Sequence, residues 1–130
     1  MMVSIQPIAR VAVVTRDEGF GDALAEWFTA HDPELPVVLR ASRWGDLLND
    51  AAFPTDLVVL DAASSTRNSI ESRVRTLRAS GAAVIVIAPR GDEVQQRAVS
   101  AGAFCVLEKT VPAGLIGEMA RGALGLLRAG

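Results

Sequence analysis

Five short apolar runs, each followed by a segment whose apolar residues recur at helical spacing, constrain this 130-residue chain more than any other feature. Residues 8–15 (IARVAVVT), 36–41 (PVVLRA), 55–61 (TDLVVLD), 83–88 (AVIVIA) and 104–107 (FCVL) read as strands. Between the first two, residues 18–31 place Phe20, Leu24, Trp27 and Phe28 on one helical face, and Asp32-Pro33 ends the helix. Ser42 is expected to cap a short helix over 43–51 with Trp44, Leu47 and Leu48 inward. Residues 70–80 predict a helix with Ile70, Val74 and Leu77 inward and Arg67, Arg73, Arg75 and Arg78 outward, closed by Gly81. Asp92 caps a helix over 93–101 that Gly102 stops, and a last helix runs from Pro112 to Arg128.

Connections this short between alternating strands and helices demand a parallel sheet. The run at 83–88 is the most apolar and belongs at or near its centre. The expected fold is α/β: a flavodoxin-like (βα)5 doubly wound parallel sheet, strand order 2-1-3-4-5, in one domain over residues 1–130. Half the residues are hydrophobic and few are aromatic, which suits strands packed under helices. A net charge of −2 gives no electrostatic case for direct nucleic-acid binding by this chain. The single Cys105 excludes an internal disulfide and fits a reducing cytoplasm. No apolar run is long enough for a membrane span, and the first ten residues lack a signal-peptide pattern. The glycines at 114, 117, 122 and 125 form no dinucleotide fingerprint, because no strand precedes them in the right place.

In such a sheet the functional site lies outside the carboxyl ends of the strands, where the strand order reverses. The residues falling there are Thr15, Arg16 and Asp17 after the first strand, Asp61 to Ala63 after the third, Ala88 after the fourth and Lys109 after the fifth. Lys109 is the sole lysine among thirteen basic residues.

Over nearly its whole length the chain resembles the receiver domains of two-component response regulators (CheY-like). VAVVTRDEGFGDALAEWF is similar to the family's first strand and helix, and PTDLVVLD to the third strand, which ends on the phosphorylated aspartate. VIVIAPRGDEVQQRAVSAGAFCVLEKT is similar to the stretch from the fourth strand to the family's lysine. The resemblance implies that Asp61 is the phospho-acceptor candidate and Lys109 the lysine that steadies the phosphoryl group. It also implies magnesium held by an acidic pair after the first strand, a hydroxyl after the fourth strand and a switching aromatic in the fifth.

Five positions depart from that pattern. Thr15 and Arg16 stand where the acidic pair belongs, Ala88 replaces the hydroxyl, Val106 the aromatic, and Thr110 the proline after the lysine. The loop after Asp61 reads AASSTRNS. The remaining carboxylates for a metal would be Asp17 and Asp61, an incomplete set for magnesium, so no cofactor is expected. Asp17 and Glu18 would replace the acidic pair only by a local shift; Asp17 is read instead as a loop residue and Glu18 as an early-helix charge favoured by the helix dipole. The Arg16 guanidinium is expected to lie in the vacated metal site, paired with Asp61 or Asp17, with Lys109 as a second partner of Asp61.

The last helix is unusually apolar. Leu115, Met119, Ala123 and Leu126 are expected to face the sheet, with Ile116, Leu124 and Leu127 extending the stripe. The surplus reads as a partner surface comprising Leu115, Ile116, Met119, Leu124 and Leu127. The resemblance implies a homodimer or an attached effector domain there. RGALGLLRAG resembles the stretch leading to a DNA-binding domain, which would lie beyond residue 130. Cys105, Trp27 and Trp44 are read as packing residues, and His31 is assigned no role.

Three functions follow. The first is an atypical, non-enzymatic receiver in signal transduction and transcription regulation, acting through protein contacts with impaired or absent magnesium-dependent phosphorylation. The second is a working phospho-acceptor that uses Asp61 with unusual metal ligands and is served by a sensor histidine kinase. The third is a small-ligand-binding flavodoxin-like domain using the same crevice.

Overall fold

The structure, a computed structural model, describes residues 7–64, 69–91 and 93–126. The strands are β1 Val11–Val14, β2 Val37–Ala41, β3 Leu57–Asp61, β4 Ala83–Ile87 and β5 Cys105–Leu107. The helices are α1 Glu18–His31, α2 Trp44–Asn49, α3 Ile70–Ala79, α4 Glu93–Ala101 and α5 Ala113–Ala123. The strands make one parallel sheet, as the alternating pattern requires, in the expected order β2-β1-β3-β4-β5.

Alternation along the strands divides the core in two. Val58 and Leu60 of β3, with Val84 and Val86 of β4, meet Leu47 of α2, Ile70, Val74 and Leu77 of α3, and Val94 and Ala98 of α4. Their neighbours Leu57, Val59, Ile85 and Ile87 face the other way, onto Leu24 and Phe28 of α1 and Ile116 and Ala120 of α5. Because β3 and β4 are covered on both faces, they read as continuous apolar runs. Each large aliphatic side chain buried this way contributes about 1.5–3 kcal/mol.

Three helices end alike. Gly81, Gly102 and Gly125 adopt φ of 96°, 118° and 69°, which residues with a Cβ rarely tolerate. In each case the next N–H reaches back five residues: Ala82 to Leu77 O, Ala103 to Ala98 O and Leu126 to Arg121 O. This closing turn satisfies carbonyls that a helix end leaves bare. It also stops α5 at Ala123, short of the expected Arg128.

Other boundaries shift for local reasons. The first strand begins at Val11 because the Arg10 amide bonds the Asp56 carboxylate at 2.7 Å, not a ladder carbonyl. The N-cap of α2 is Arg43, with no side-chain cap bond, so Ser42 does not play that part. Leu47 is buried, Trp44 is half-buried and Leu48 is exposed, so the expected inward set of α2 was too wide. Asp92, Arg67, Leu127 and Arg128 lie outside the described residues. No helix among the described residues is long and apolar enough to cross a membrane.

Two contacts tie α1 to α5. The Trp27 indole lies so close to Gly117 that a Cβ there would collide with the ring. Trp27 also stacks on His31, with ring centroids 5.1 Å apart. Below it, Arg121 of α5 pairs with Asp32, which caps the end of α1, and with Glu34.

Candidate functional site at the carboxyl ends of the strands

Asp61 ends β3 and is 3 % exposed. A charged carboxylate buried to that degree needs donors, and the adjacent elements supply them. Thr15, just past β1, donates its hydroxyl to Asp61 Oδ2 at 2.7 Å. Lys109, two residues past β5, brings Nζ to the same oxygen at 3.0 Å. The Ala63 N–H bonds Oδ1 at 3.0 Å as the chain turns through a 3-10 turn at Ala62–Ser64.

The network continues outward. The Asp17 N–H donates to Thr15 Oγ1 at 3.0 Å. Asp17 is the N-cap of α1, its Oδ1 accepting the Phe20 N–H at 3.0 Å. Its Oδ2 lies 3.4 Å from Lys109 Nζ. One ammonium thus bridges two carboxylates, and it rests over the Phe20 ring at 5.6 Å. The Asp61 hydrogen bond, more than any other contact, raises the proton affinity of Lys109 and keeps it charged. The backbone cap bond from Phe20 holds the Asp17 carboxyl below its usual range, opposed by desolvation and assisted by Lys109.

Thr15, Asp17, Asp61 and Lys109 therefore meet as the sequence indicates, and Arg16 does not join them. Arg16 is exposed and, among the described residues, forms no salt bridge. Its charge acts on Arg73 of α3: burial chiefly, and then Arg16, lower the proton affinity of Arg73. Arg73 lies over the Trp44 ring at 5.1 Å. The expected pairing of Arg16 with Asp61 or Asp17 is thus corrected. Thr15, the first residue past β1, is buried on Asp61 and fills the place beside it, while Arg16 next in the chain is exposed.

Ala88 is buried and its N–H bonds the Leu107 carbonyl at 2.9 Å. Val106 is half-buried against the α2–α3–α4 side of the core. Beside Asp61 opens a crevice of about 340 Å³, walled by Ile87, Ala88 and Pro89 and edged by Glu108, Lys109 and Thr110.

The partner stripe on α5 needs correction as well. Ile116 is 1 % exposed and belongs to the core, while Leu115, Met119 and Leu124 are half-buried. The most buried positions of α5 are Ile116 and Ala120 in the core and Gly117 and Arg121 against α1, while Met119, Ala123 and Leu126 of the expected face pack partly buried against the same core. Exposed large apolar side chains among the described residues include Val99 of α4, on the opposite face of the sheet from α5, and Phe104 before β5, which lies against Gly122 of α5. Sequence reasoning also missed Arg121. The available signal was its position four residues after Gly117, on the helix face that Trp27 covers.

No family model and no curated relative matches the chain. Solved structures do. A response regulator receiver protein from Burkholderia phymatum superposes with a TM-score of 0.75 at 24% identity, covering 94% of this chain and 98% of the other. The beryllofluoride-activated DrrB receiver domain gives 0.74 at 21% identity, covering 90% and 97%. The fold is that of response-regulator receiver domains. ChrA, a response regulator of a heme-sensing two-component system, shares the receiver fold with a TM-score of 0.69 at 24% identity. That match covers 95% of this chain but 58% of ChrA, so this chain spans a little over half of that regulator. In this fold Asp61 sits at the switch between β1 and β3, where the sheet rule places a site, and the crevice opens from it along the ends of β4 and β5.

Proposed function

We propose that this chain is a non-enzymatic signalling receiver that works through protein contacts and not through magnesium-dependent phosphorylation of Asp61. The observation that carries this reading is the set of donors on Asp61: the Thr15 hydroxyl and Lys109 ammonium on Oδ2, and the Ala63 N–H on Oδ1. Magnesium asks for an octahedron of hard oxygen ligands. These residues supply hydrogens where a metal needs lone pairs, and the second carboxylate, Asp17, is committed to capping α1 and to Lys109. Among the described residues, no three His, Cys, Asp or Glu side chains group to hold a metal ion. The donor set therefore does not fit magnesium. At Ala88 and Val106 the hydroxyl and the aromatic that would report a phosphoryl group are also missing.

The contacts invoked are with a second copy of the chain, through the surface of α4 and β5 where Val99 and Phe104 are exposed. An attached effector domain and a cytoplasmic setting belong to the same reading. A sensor histidine kinase belongs to the alternative in which Asp61 accepts phosphate. The test is incubation with magnesium and acetyl phosphate, or magnesium and beryllofluoride, followed by native mobility and intrinsic Trp fluorescence. No change is expected in the wild type. A change that Asp61→Asn abolishes would overturn the reading.

A further inference from the structure

We propose that the crevice beside Asp61 binds a small organic amine, with its ammonium at Asp61 and Glu108 and its apolar body lying over Ala88 toward Val106; this rests on the reading that phosphoryl chemistry has left the site. The first observation is two neighbouring voids that share lining residues. The crevice of about 340 Å³ at Asp61 adjoins a second of about 240 Å³ that reaches Gln95 and Val106. Ala88, Pro89 and Glu108 line both. The two voids thus share a wall at Ala88, and the second reaches Val106. The inner volume alone is within the range of small-molecule sites.

The second observation is charge. Asp61 and Glu108 line the inner crevice together with one cation, Lys109. That cation is already shared with Asp17, outside the crevice lining. The excess is therefore negative, which favours an ammonium over a carboxylate or phosphate. An ionised carboxylate offers about four acceptor positions. Two on Oδ2 are taken by Thr15 and Lys109 and one on Oδ1 by Ala63, which leaves a place for one further N–H. The walls between are apolar, formed by Ile87, Ala88, Pro89 and Leu107, and they suit a flat hydrocarbon body. The outer end, at Arg90 and Gln95, is polar and meets water.

The test is a titration of the 15N-labelled chain with phenethylamine, with phenylacetate as the acid of matched shape. Saturable shifts are expected at the amides of Ala63, Ala88, Val106 and Lys109, with phenylacetate at least about tenfold weaker, the loss expected when one charge-assisted hydrogen bond is forfeited. Val106→Phe should block the outer space and weaken the amine about tenfold or more while the circular dichroism spectrum stays that of the wild type. Shifts that rise linearly without saturation, an equal response to phenylacetate, or undiminished binding to folded Val106→Phe would overturn the proposal. The comparison of amine with acid needs no variant, so it stands even if the substitution disturbs folding. A parallel sample receives magnesium and beryllofluoride. Silence there together with silence to the amine defeats this inference alone. Saturable shifts around Asp61 there defeat the functional reading, and this inference with it.

Discussion

Arg121 and Asp32, 89 positions apart in the chain, form a two-pronged ion pair: Nη2 lies 2.6 Å from Oδ1 and Nε 2.8 Å from Oδ2. Both side chains are more than nine-tenths buried. The Asp32 hydrogen bonds, against desolvation, raise the proton affinity of Arg121 further and keep its guanidinium charged. Removing Arg121 leaves a buried carboxylate without its cation. Arg121→Met is expected to cost about 3–5 kcal/mol in urea unfolding. Asp32→Asn should cost less, because Glu34 still reaches Arg121 at 3.1 Å. Equal, small losses in both variants would show that the pair does not lock α1 to α5.

Gly117 and Gly45 should respond in opposite directions to the same change. A methyl at Gly117 meets the Trp27 ring, and overpacking of this kind costs about 1–3 kcal/mol. A methyl at Gly45 of α2 meets nothing within 4 Å. Gly45→Ala should therefore stabilise the chain by up to about 1 kcal/mol through helix propensity. Thermal melts of the two variants check the sign. Trp27→Leu combined with Gly117→Ala should recover part of the Gly117→Ala loss.

At the crevice, Lys109→Met and Thr15→Val each remove one donor from a buried Asp61. Leaving such a group short of a partner costs about 1–3 kcal/mol. Asp61→Asn should be milder than Lys109→Met, since a neutral amide needs no counter-charge. Chemical denaturation of the three variants gives the ranking, and a Lys109→Met protein as stable as the wild type would remove the ion pair from the account.

The pH dependence follows from two opposite shifts. The folded Asp17 carboxyl sits below its unfolded value of about 3.9, so its contribution is present above that pH and fades as pH falls further. The folded Lys109 ammonium sits above its unfolded value of about 10.4, so its contribution is present below that pH and is lost as pH rises beyond it. Asp17→Asn should flatten the acid limb of a stability–pH curve, and Lys109→Met the alkaline limb. Both groups are substantially exposed and screened, so each effect is small and best read as a change of slope.

Much of this molecule was written locally. Residues 83–88 read as a strand covered on both faces and the short connections required parallel direction; the strand order and the rim holding Asp61 and Lys109 followed from the common solution for such a sheet. The helix stops at Gly81 and Gly102 followed from backbone sterics, which also belong to the local chain. Tertiary structure decided which side chains meet across that rim. Thr15 and Arg16 are neighbours in sequence, yet one reaches Asp61 and the other is exposed, so Lys109 and not Arg16 pairs with the acceptor candidate. The rotation of α5 was likewise set by where Trp27 finds room at Gly117 and where Arg121 reaches Asp32. Periodicity reports how often a helix turns and not its angle about its own axis, because that angle is fixed by partners distant in the sequence.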